Sequence, residues 1–165
     1  MRAIDSFPGV VPSMDQRAEL QNRFVMRFHF GSPPTPIPEQ QLNAIETELN
    51  TKLPEAYREF MMRHGEIYTP GILDSIVAKE IDHPDVQNFL SPREVMDGTR
   101  AYWSGGMPDD VIGIASDCMG NMIGFRRHPM SSDDQPMVFF DHDFLDVHVI
   151  SSSFDELLQW YLDNL

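Results

Sequence analysis

Short apolar runs alternate with polar, glycine-containing segments in the second half of the chain. Two such runs, 111–115 and 122–125, flank a segment of Ser, Asp, Gly and Asn residues. Gly and Asn accept the positive φ of a tight reversal, so this pattern predicts a β-hairpin. Further apolar runs at 137–140 and 147–150 extend the prediction to a small, mainly antiparallel sheet.

Helical spacing of apolar residues dominates the first half of the chain and recurs at its end. Ser13 and Gln16 have the spacing of a capping box, which predicts a helix over 14–28. A strand over 24–30, where apolar residues also alternate, is the alternative. Four more helices are predicted, each from a start signal and an apolar stripe: near Pro38, after Pro54 with Gly65 as the C-cap, from Ser91 to Trp103, and from Ser153 onward.

Residues 66–90 have the least regular pattern, and we assign Ile72, Ile76 and Ile81 to a short strand and a loop. The fold class predicted is therefore α+β, with a mainly antiparallel sheet in the C-terminal half flanked by N-terminal helices and a C-terminal helix.

Within the hairpin, the Asp117 side chain is expected to accept hydrogen bonds from the turn amides, and Gly120 is expected to have a positive φ. Gly113 and Gly124 indicate close backbone approach or a bulge.

The chain length and composition suit one domain over residues 1–165, in which residues 1–13 form an irregular leader. No apolar run approaches the ~20 residues of a membrane helix, and nothing resembles a signal peptide. A single cysteine, Cys118, excludes an internal disulfide and fits a reducing compartment. A cytoplasmic location is expected.

Acidic residues outnumber basic ones, 26 against 12, which gives a net charge of −14. No Lys or Arg follows Arg127. Such a balance argues against nucleic acid, whose phosphates require a basic surface. It permits a basic protein partner attracted by electrostatic steering, although charge that serves only solubility is the simpler interpretation.

Five motifs in order resemble the SUKH superfamily, which contains the yeast cell-wall assembly regulator domain and many bacterial immunity proteins. They are Leu-Pro-x-x-Tyr-x-x-Phe, Ile-Gly-Ile-Ala, Asp-x-x-Gly-Asn, Val-Phe-Phe-Asp-His and Ser-Phe-Asp-Glu-Leu-Leu, spread over roughly 36–162. The resemblance implies one SUKH-like domain with an immunity function against a polymorphic toxin. The sequence contains no phosphate-binding, nucleophile-elbow or zinc-binding motif, so neither catalysis nor a cofactor is expected. The motif residues expected to be structural are Leu53, Pro54, Tyr57, Phe60, Asp117, Gly120, Asn121, Ser153 and Phe154.

Several residues invite a chemical interpretation. The segment 141–148 holds three carboxylates and two imidazoles, so a hydrolase using Asp141, His142, Asp143 and a metal is a remote alternative. Its spacing fits no metal motif, and we expect a strand end and turn. Cys118 would need a lowered pKa to act as a nucleophile, and His64 is expected to be a helix-face histidine. No metal ligand or catalytic residue is assigned.

Partner binding is the function that charge and resemblance favour together. We expect contacts from Asp109 and Asp110, before the hairpin, and from Asp133 and Asp134, in a polar loop free of any packing role. The leading hypothesis is an immunity protein bound to a basic, nuclease-type toxin domain. A regulatory or scaffold module of the cell-wall regulator type is the alternative.

Overall fold

A computed structural model describes residues 13–165 of the chain. Six helices and five strands occur in this part. In chain order they are α1 (Met14–Phe28), α2 (Glu39–Glu48), α3 (Glu55–Arg63), α4 (Gly71–Ala78), β1 (Asn88–Phe89), α5 (Pro92–Ser104), β2 (Val111–Ser116), β3 (Met122–Arg126), β4 (Met137–Asp141), β5 (Asp146–Ser151) and α6 (Phe154–Asn164).

The strands form one antiparallel sheet in the order β1-β2-β3-β4-β5, which confirms the α+β prediction. Every strand therefore pairs with its neighbour in sequence. In the β2–β3 hairpin, Gly113 lies opposite Gly124 and the register shifts between Gly113 and Ala115. A Cβ atom added at Gly124 would lie 1.7 Å from the Ile112 carbonyl oxygen. Both the bulge and the close backbone approach predicted there are confirmed.

The two faces of the sheet bury different apolar clusters, because successive side chains of a strand point to opposite faces. Ile123, Phe125 and Phe139 belong to the main core, together with aromatic residues of α1, α3 and α6. Met122 and Phe140 point the other way, into a smaller cluster that Tyr102 and Trp103 of α5 help to cover. The sheet thus buries apolar side chains on both faces, in the main core on one face and in the smaller cluster beside the end of α5 on the other.

Helix starts follow the predicted signals. Ser13 and Gln16 form the capping box of α1, so the alternative of a strand over 24–30 is wrong. Ser91 and Glu94 form a second capping box on α5, and the Ser153 hydroxyl accepts the Glu156 amide hydrogen at the start of α6. The leader predicted for residues 1–13 lies outside the described residues, apart from Ser13 itself.

The assignment of Ile72 and Ile76 to a short strand is wrong. Both residues are buried on α4, an eight-residue helix that follows Pro70, and only Ile81 lies in a loop. The four-residue separation of the two isoleucines places them on one helical face, and their burial outweighs the low helix propensity of β-branched residues. The strand in this region is β1 (Asn88–Phe89), which is only two residues long.

A buried ionic network joins the two ends of the described chain. The Arg17 guanidinium on α1 lies 2.8 Å from Asp155 on α6, and Arg17 and Asp155 are only 5% and 6% exposed. Glu59 and Asp134 lie 3.4 and 3.6 Å from the same guanidinium. Burial lowers the pKa of Arg17, but these three carboxylates outweigh it and raise the pKa above its ordinary value. The stability that this network contributes therefore depends on Arg17 keeping all three carboxylate partners.

Among residues 13–165, no helix combines the length and the apolar character needed to cross a bilayer.

Candidate binding surface

The four carboxylates predicted to bind a partner are attached to two different parts of the fold. Asp110 accepts two hydrogen bonds from the Arg126 guanidinium on β3, at 3.0 and 2.8 Å. Both side chains are about half exposed, at 46% and 49%. Asp109 is exposed beside this pair. Part of the charge of Asp110 is thus already paired within the chain.

Asp134 does not lie in a loop free of packing, so that part of the expectation is wrong. Its side chain is 30% exposed and lies 3.6 Å from Arg17. Burial raises the pKa of Asp134, although Arg17 opposes the shift. The same loop also packs on the start of α3, where the Glu55 amide donates to the Ser132 carbonyl at 2.9 Å. Asp133, by contrast, has no Lys or Arg within ion-pair distance among the described residues and is exposed.

The Asp-x-x-Gly-Asn motif builds the β2–β3 turn as predicted. One carboxylate oxygen of Asp117 accepts the amide hydrogens of Met119 and Asn121, at 2.9 and 2.8 Å. Gly120 has a φ of +86°, which confirms the predicted positive value. The Tyr102 hydroxyl donates to the Gly120 carbonyl and fixes the turn to α5.

Asn121 links this turn to the β4–β5 turn, a connection that the sequence pattern did not predict. Its side-chain oxygen accepts hydrogen bonds from the backbone and the Nδ1 ring nitrogen of His142, at 3.1 and 2.7 Å. Its amide nitrogen donates to Asp117 at 2.8 Å. The Asp-x-x-Gly-Asn and Asp-His motifs are therefore one structural unit. No local pattern signals the contact, because Asn121 and His142 are 21 positions apart.

The segment 141–148 forms a strand end and a turn, as expected. One oxygen of Asp141 accepts the amide hydrogens of Asp143 and Phe144, at 2.9 and 3.2 Å. His142 lies 3.4 Å from Asp143 through Nε2, while its other ring nitrogen contacts Asn121. No group of three or more His, Cys, Asp or Glu side chains with metal-binding geometry occurs in the described part of the chain.

Cys118 lies beside a carboxylate rather than beside a cation. Its thiol is 3.6 Å from Asp85, which also accepts the Cys118 amide hydrogen at 3.1 Å. Partial burial and the negative charge of Asp85 raise the pKa of Cys118, the direction opposite to that of an activated nucleophile. The thiol is exposed but disfavoured as a thiolate at neutral pH.

His64 ends α3 as its C-cap residue and is partly buried. Its ring contacts Phe60, with centroids 5.4 Å apart. Burial, with a smaller contribution from the positive charge of Arg63, lowers the pKa of His64. Gly65 follows with a φ of +85°, so the predicted C-cap is wrong by one residue: His64 is the C-cap, and Gly65 is the left-handed residue directly after it. The contacts of His64 are those of a packed helix-face side chain.

An apolar surface lies at the β4–β5 hairpin. Phe144 is 82% exposed, Leu145 54% and Val149 63%. A groove of about 520 Å³ runs between β5 and the loop before β1, where Phe139, His83 and His148 line it. His83 stacks on Trp160 with ring centroids 3.7 Å apart, which fixes this wall of the groove.

A family model described as the SMI1 / KNR4 family (SUKH-1) matches residues 36–160. The chain belongs to this family. The match covers most of the chain and confirms the resemblance stated from the sequence motifs. No curated protein matches the chain.

The SMI1/KNR4 motif residues have identifiable positions in the fold. Leu53 and Pro54 are buried before α3, whose Tyr57 and Phe60 point into the core. Phe154 at the start of α6 packs edge-on against Tyr57, with ring centroids 5.7 Å apart. The motifs therefore hold α3 and α6 together on the sheet, which is a structural role.

Helix α1 lies outside the span that matches the family model but packs against elements inside it. Phe24 contacts Phe89 of β1 and Tyr161 of α6, with ring centroids 5.8 and 6.2 Å apart. Gln21 donates to the Ala56 carbonyl and to Asp155, at 2.9 and 3.1 Å. This helix is thus an integral part of the core of this family member.

The positive φ of Gly120 makes substitution there costly. Gly120→Val is expected to lower the free energy of unfolding by roughly 1–3 kcal/mol, because a β-branched side chain is strained at positive φ. The nearest atoms to an added Cβ are 3.8 Å away, so steric overlap contributes little. Denaturant unfolding measures the change. Gly120→Asn is the control, since Asn tolerates this conformation; equal losses in both variants would contradict a conformational origin.

Proposed function

We propose that this SMI1/KNR4-family chain is a non-catalytic binding protein that neutralises a protein toxin by direct contact. The family match over residues 36–160 carries the proposal, because the superfamily includes many bacterial immunity proteins. Family membership favours binding over catalysis. A toxin and its neutraliser need a specific, stable interface rather than a reactive site.

The charge of the chain favours a basic partner. A net charge of −14 attracts a positively charged surface over distances longer than a contact. The β4–β5 hairpin contributes Asp141, Asp143 and Asp146, none of which forms an ion pair with Lys or Arg in the described structure. Basic nuclease-type toxin domains have the complementary charge.

The acidic residues differ in how readily they can contribute to such a contact. Asp109 and Asp133 are exposed and have no Lys or Arg partner among residues 13–165. Asp110 and Asp134 would first have to release Arg126 and Arg17. The structure therefore supports Asp109 and Asp133 as the stronger two of the four proposed contacts.

Co-expression tests the proposed function. Each open reading frame that flanks the gene is expressed alone and together with this chain, and growth is measured. The proposal expects one frame to arrest growth and this chain to restore it. Gly124→Ala, which the geometry predicts to disrupt the fold, is the control for a requirement for folded protein. Growth arrest that persists despite abundant folded chain contradicts the proposal for that frame.

A regulatory interaction module is the second candidate function, because the matching family description names the SMI1 and KNR4 proteins. It predicts a different experimental result. None of the flanking frames would arrest growth, and binding would involve proteins that are harmless when expressed alone. The two candidates share a non-catalytic surface and differ in the nature of the partner.

Electrostatic steering gives a kinetic prediction for the basic partner. Asp109→Asn combined with Asp133→Asn should slow association roughly two- to fivefold at low salt, because charge acts mainly on the on-rate. The effect should fade as the Debye length falls from ~30 Å at 0.01 M salt to ~8 Å at 0.15 M. Stopped-flow or surface-based kinetics across this range measure it.

A matched control separates local from total charge. Asp15→Asn combined with Asp74→Asn removes the same number of charges from exposed sites on α1 and α4, so both double variants have the same net charge. The control should retain an on-rate close to that of the wild type. Equal slowing in both variants would show that total charge, and not these two positions, steers association.

A further inference from the structure

Among residues 13–165, the β5 strand leaves one edge of the sheet unpaired. It is the last strand in the order β1-β2-β3-β4-β5 and pairs only with β4 in the described part of the chain. An open edge presents backbone N–H and C=O groups that can pair with another strand. β5 has six residues, whereas β1, at the opposite edge, has two and is bridged through Asn88 to Tyr68.

Apolar side chains accompany this open backbone. Val149 on β5 is 63% exposed, and Phe144 and Leu145 in the preceding turn are 82% and 54% exposed. Val149 lies opposite Val138, whose side chain is buried in the smaller apolar cluster. A strand added beside β5 would cover Val149 and continue this apolar surface outward.

The other side of β5 faces the groove. His148 lies opposite Phe139, and both line the groove of about 520 Å³ together with His83, Ile150 and part of Val149. Side chains alternate between faces along a strand. An added strand would therefore place alternate residues in this groove and the intervening residues over Val149. β5 therefore offers the two features of a strand-addition site, an unpaired backbone edge and surfaces that can receive alternate side chains.

Charge identifies the occupant. Asp82 lines the groove, and Asp141, Asp143 and Asp146 lie on the hairpin, which has no Lys or Arg. A second copy of this chain would bring the same carboxylates to the same edge, where like charges across a strand pair are destabilising. An extended segment in which Lys or Arg alternates with apolar residues matches both the charge and the exposed valine.

We propose that the β5 edge binds an extended basic segment of a protein partner as a sixth strand of the sheet. This inference rests on the proposed function only for the identity of the partner. The Val147 amide now donates to the Asp146 carboxylate at 3.0 Å, within the strand itself. On binding, that amide would exchange this local bond for a carbonyl of the added strand.

A peptide probe tests the site without the natural partner. The probe is a nine-residue peptide of alternating Lys and Val, added to the ¹⁵N-labelled full chain and followed by amide chemical shifts. Saturable shifts are expected along β5 and at the groove residues His83 and His148. A second probe of the same composition, N-methylated at alternate residues, should bind at least tenfold more weakly. Shifts scattered over acidic residues elsewhere, or equal affinity of the two probes, would overturn the proposal.

Two matched variants complete the test. Val149→Lys places a charge on the edge and should weaken binding of the first probe at least tenfold. Val77→Lys, at a valine that is 66% exposed on α4, adds the same charge away from the edge and should change affinity less than twofold. Equal effects of the two substitutions would overturn the proposal. The folded state of both variants is checked by their amide spectra.

The growth assay distinguishes failure of this inference from failure of the proposed function. Where the wild-type chain restores growth, Val149→Lys should restore it less well than Val77→Lys. Full rescue by Val149→Lys would contradict binding at the β5 edge but would not contradict toxin neutralisation. Edge binding of the peptide by a chain that rescues no flanking frame would retain the site and overturn the proposed function.

Discussion

Replacing Asp155 by alanine is expected to lower the free energy of unfolding by about 3–5 kcal/mol. Asp155 is 6% exposed, and its carboxylate accepts hydrogen bonds from Arg17 and Gln21, at 2.8 and 3.1 Å. Its removal leaves the Arg17 guanidinium buried with two more distant carboxylates, 3.4 and 3.6 Å away. Leaving a buried charge incompletely paired lowers the free energy of unfolding far more than removing a surface ion pair does.

The neighbouring residue supplies the control. Glu156→Ala removes an exposed carboxylate from the same first turn of α6, where a negative charge contributes roughly 0.3–1 kcal/mol through the helix dipole. Denaturant unfolding of both variants measures the difference. If Asp155→Ala and Glu156→Ala lose similar free energies of unfolding, the buried network does not stabilise the fold more than a surface carboxylate does. A double variant, Arg17→Met with Asp155→Leu, should recover part of the stability lost by Asp155→Ala.

The second large effect is expected at Gly124. Gly124→Ala should destabilise the fold by on the order of 3–5 kcal/mol, because the new methyl group would lie 1.7 Å from the Ile112 carbonyl oxygen. That oxygen belongs to the backbone of a central strand and cannot move without separating β2 from β3. Thermal unfolding and amide exchange in the hairpin would both report the change.

Gly113, directly opposite in the register, is the matched control. A methyl group there would meet the end of the Met122 side chain at 2.6 Å, and that flexible side chain can rotate away. Gly113→Ala is therefore expected to cost about 1 kcal/mol. If the two alanine variants lose the same stability, backbone approach is not the constraint at Gly124.

Local signals were sufficient to predict most of the elements. Capping residues such as Ser13 and Ser91 predicted the starts of α1 and α5, because the bonds that they form span only three residues. Asp117 and Gly120 predicted the hairpin turn for the same reason. The pattern did not predict α4, because Pro and Gly are typical of turns, although here Pro70 directly precedes the helix and Gly71 begins it.

The features that the pattern did not predict depend on residues distant in sequence. The Arg17–Asp155 bond spans 138 positions, so no window along the chain contains both partners. The available signal was the helical spacing of Arg17 and Gln21 on the same buried stripe as Phe24. Polar residues on an apolar stripe indicate a buried partner but do not identify it.

The position of the acidic residues was also beyond sequence reasoning. Asp133 and Asp134 are adjacent, yet among the described residues only Asp134 contacts Arg17. The β5 edge was missed because alternating apolar residues predict a strand without indicating whether one or both of its edges are paired. Only the strand order identifies β5 as the end of the sheet.

Titration of the purified toxic protein with this chain tests the central claim most directly. Calorimetry and residual toxin activity are measured on the same samples as the molar ratio increases. Neutralisation by direct binding predicts a saturable 1:1 complex with a Kd below about 1 μM, and loss of activity that ends at the same equivalence point. Full toxin activity with no heat of binding at a tenfold excess of folded chain would contradict the claim.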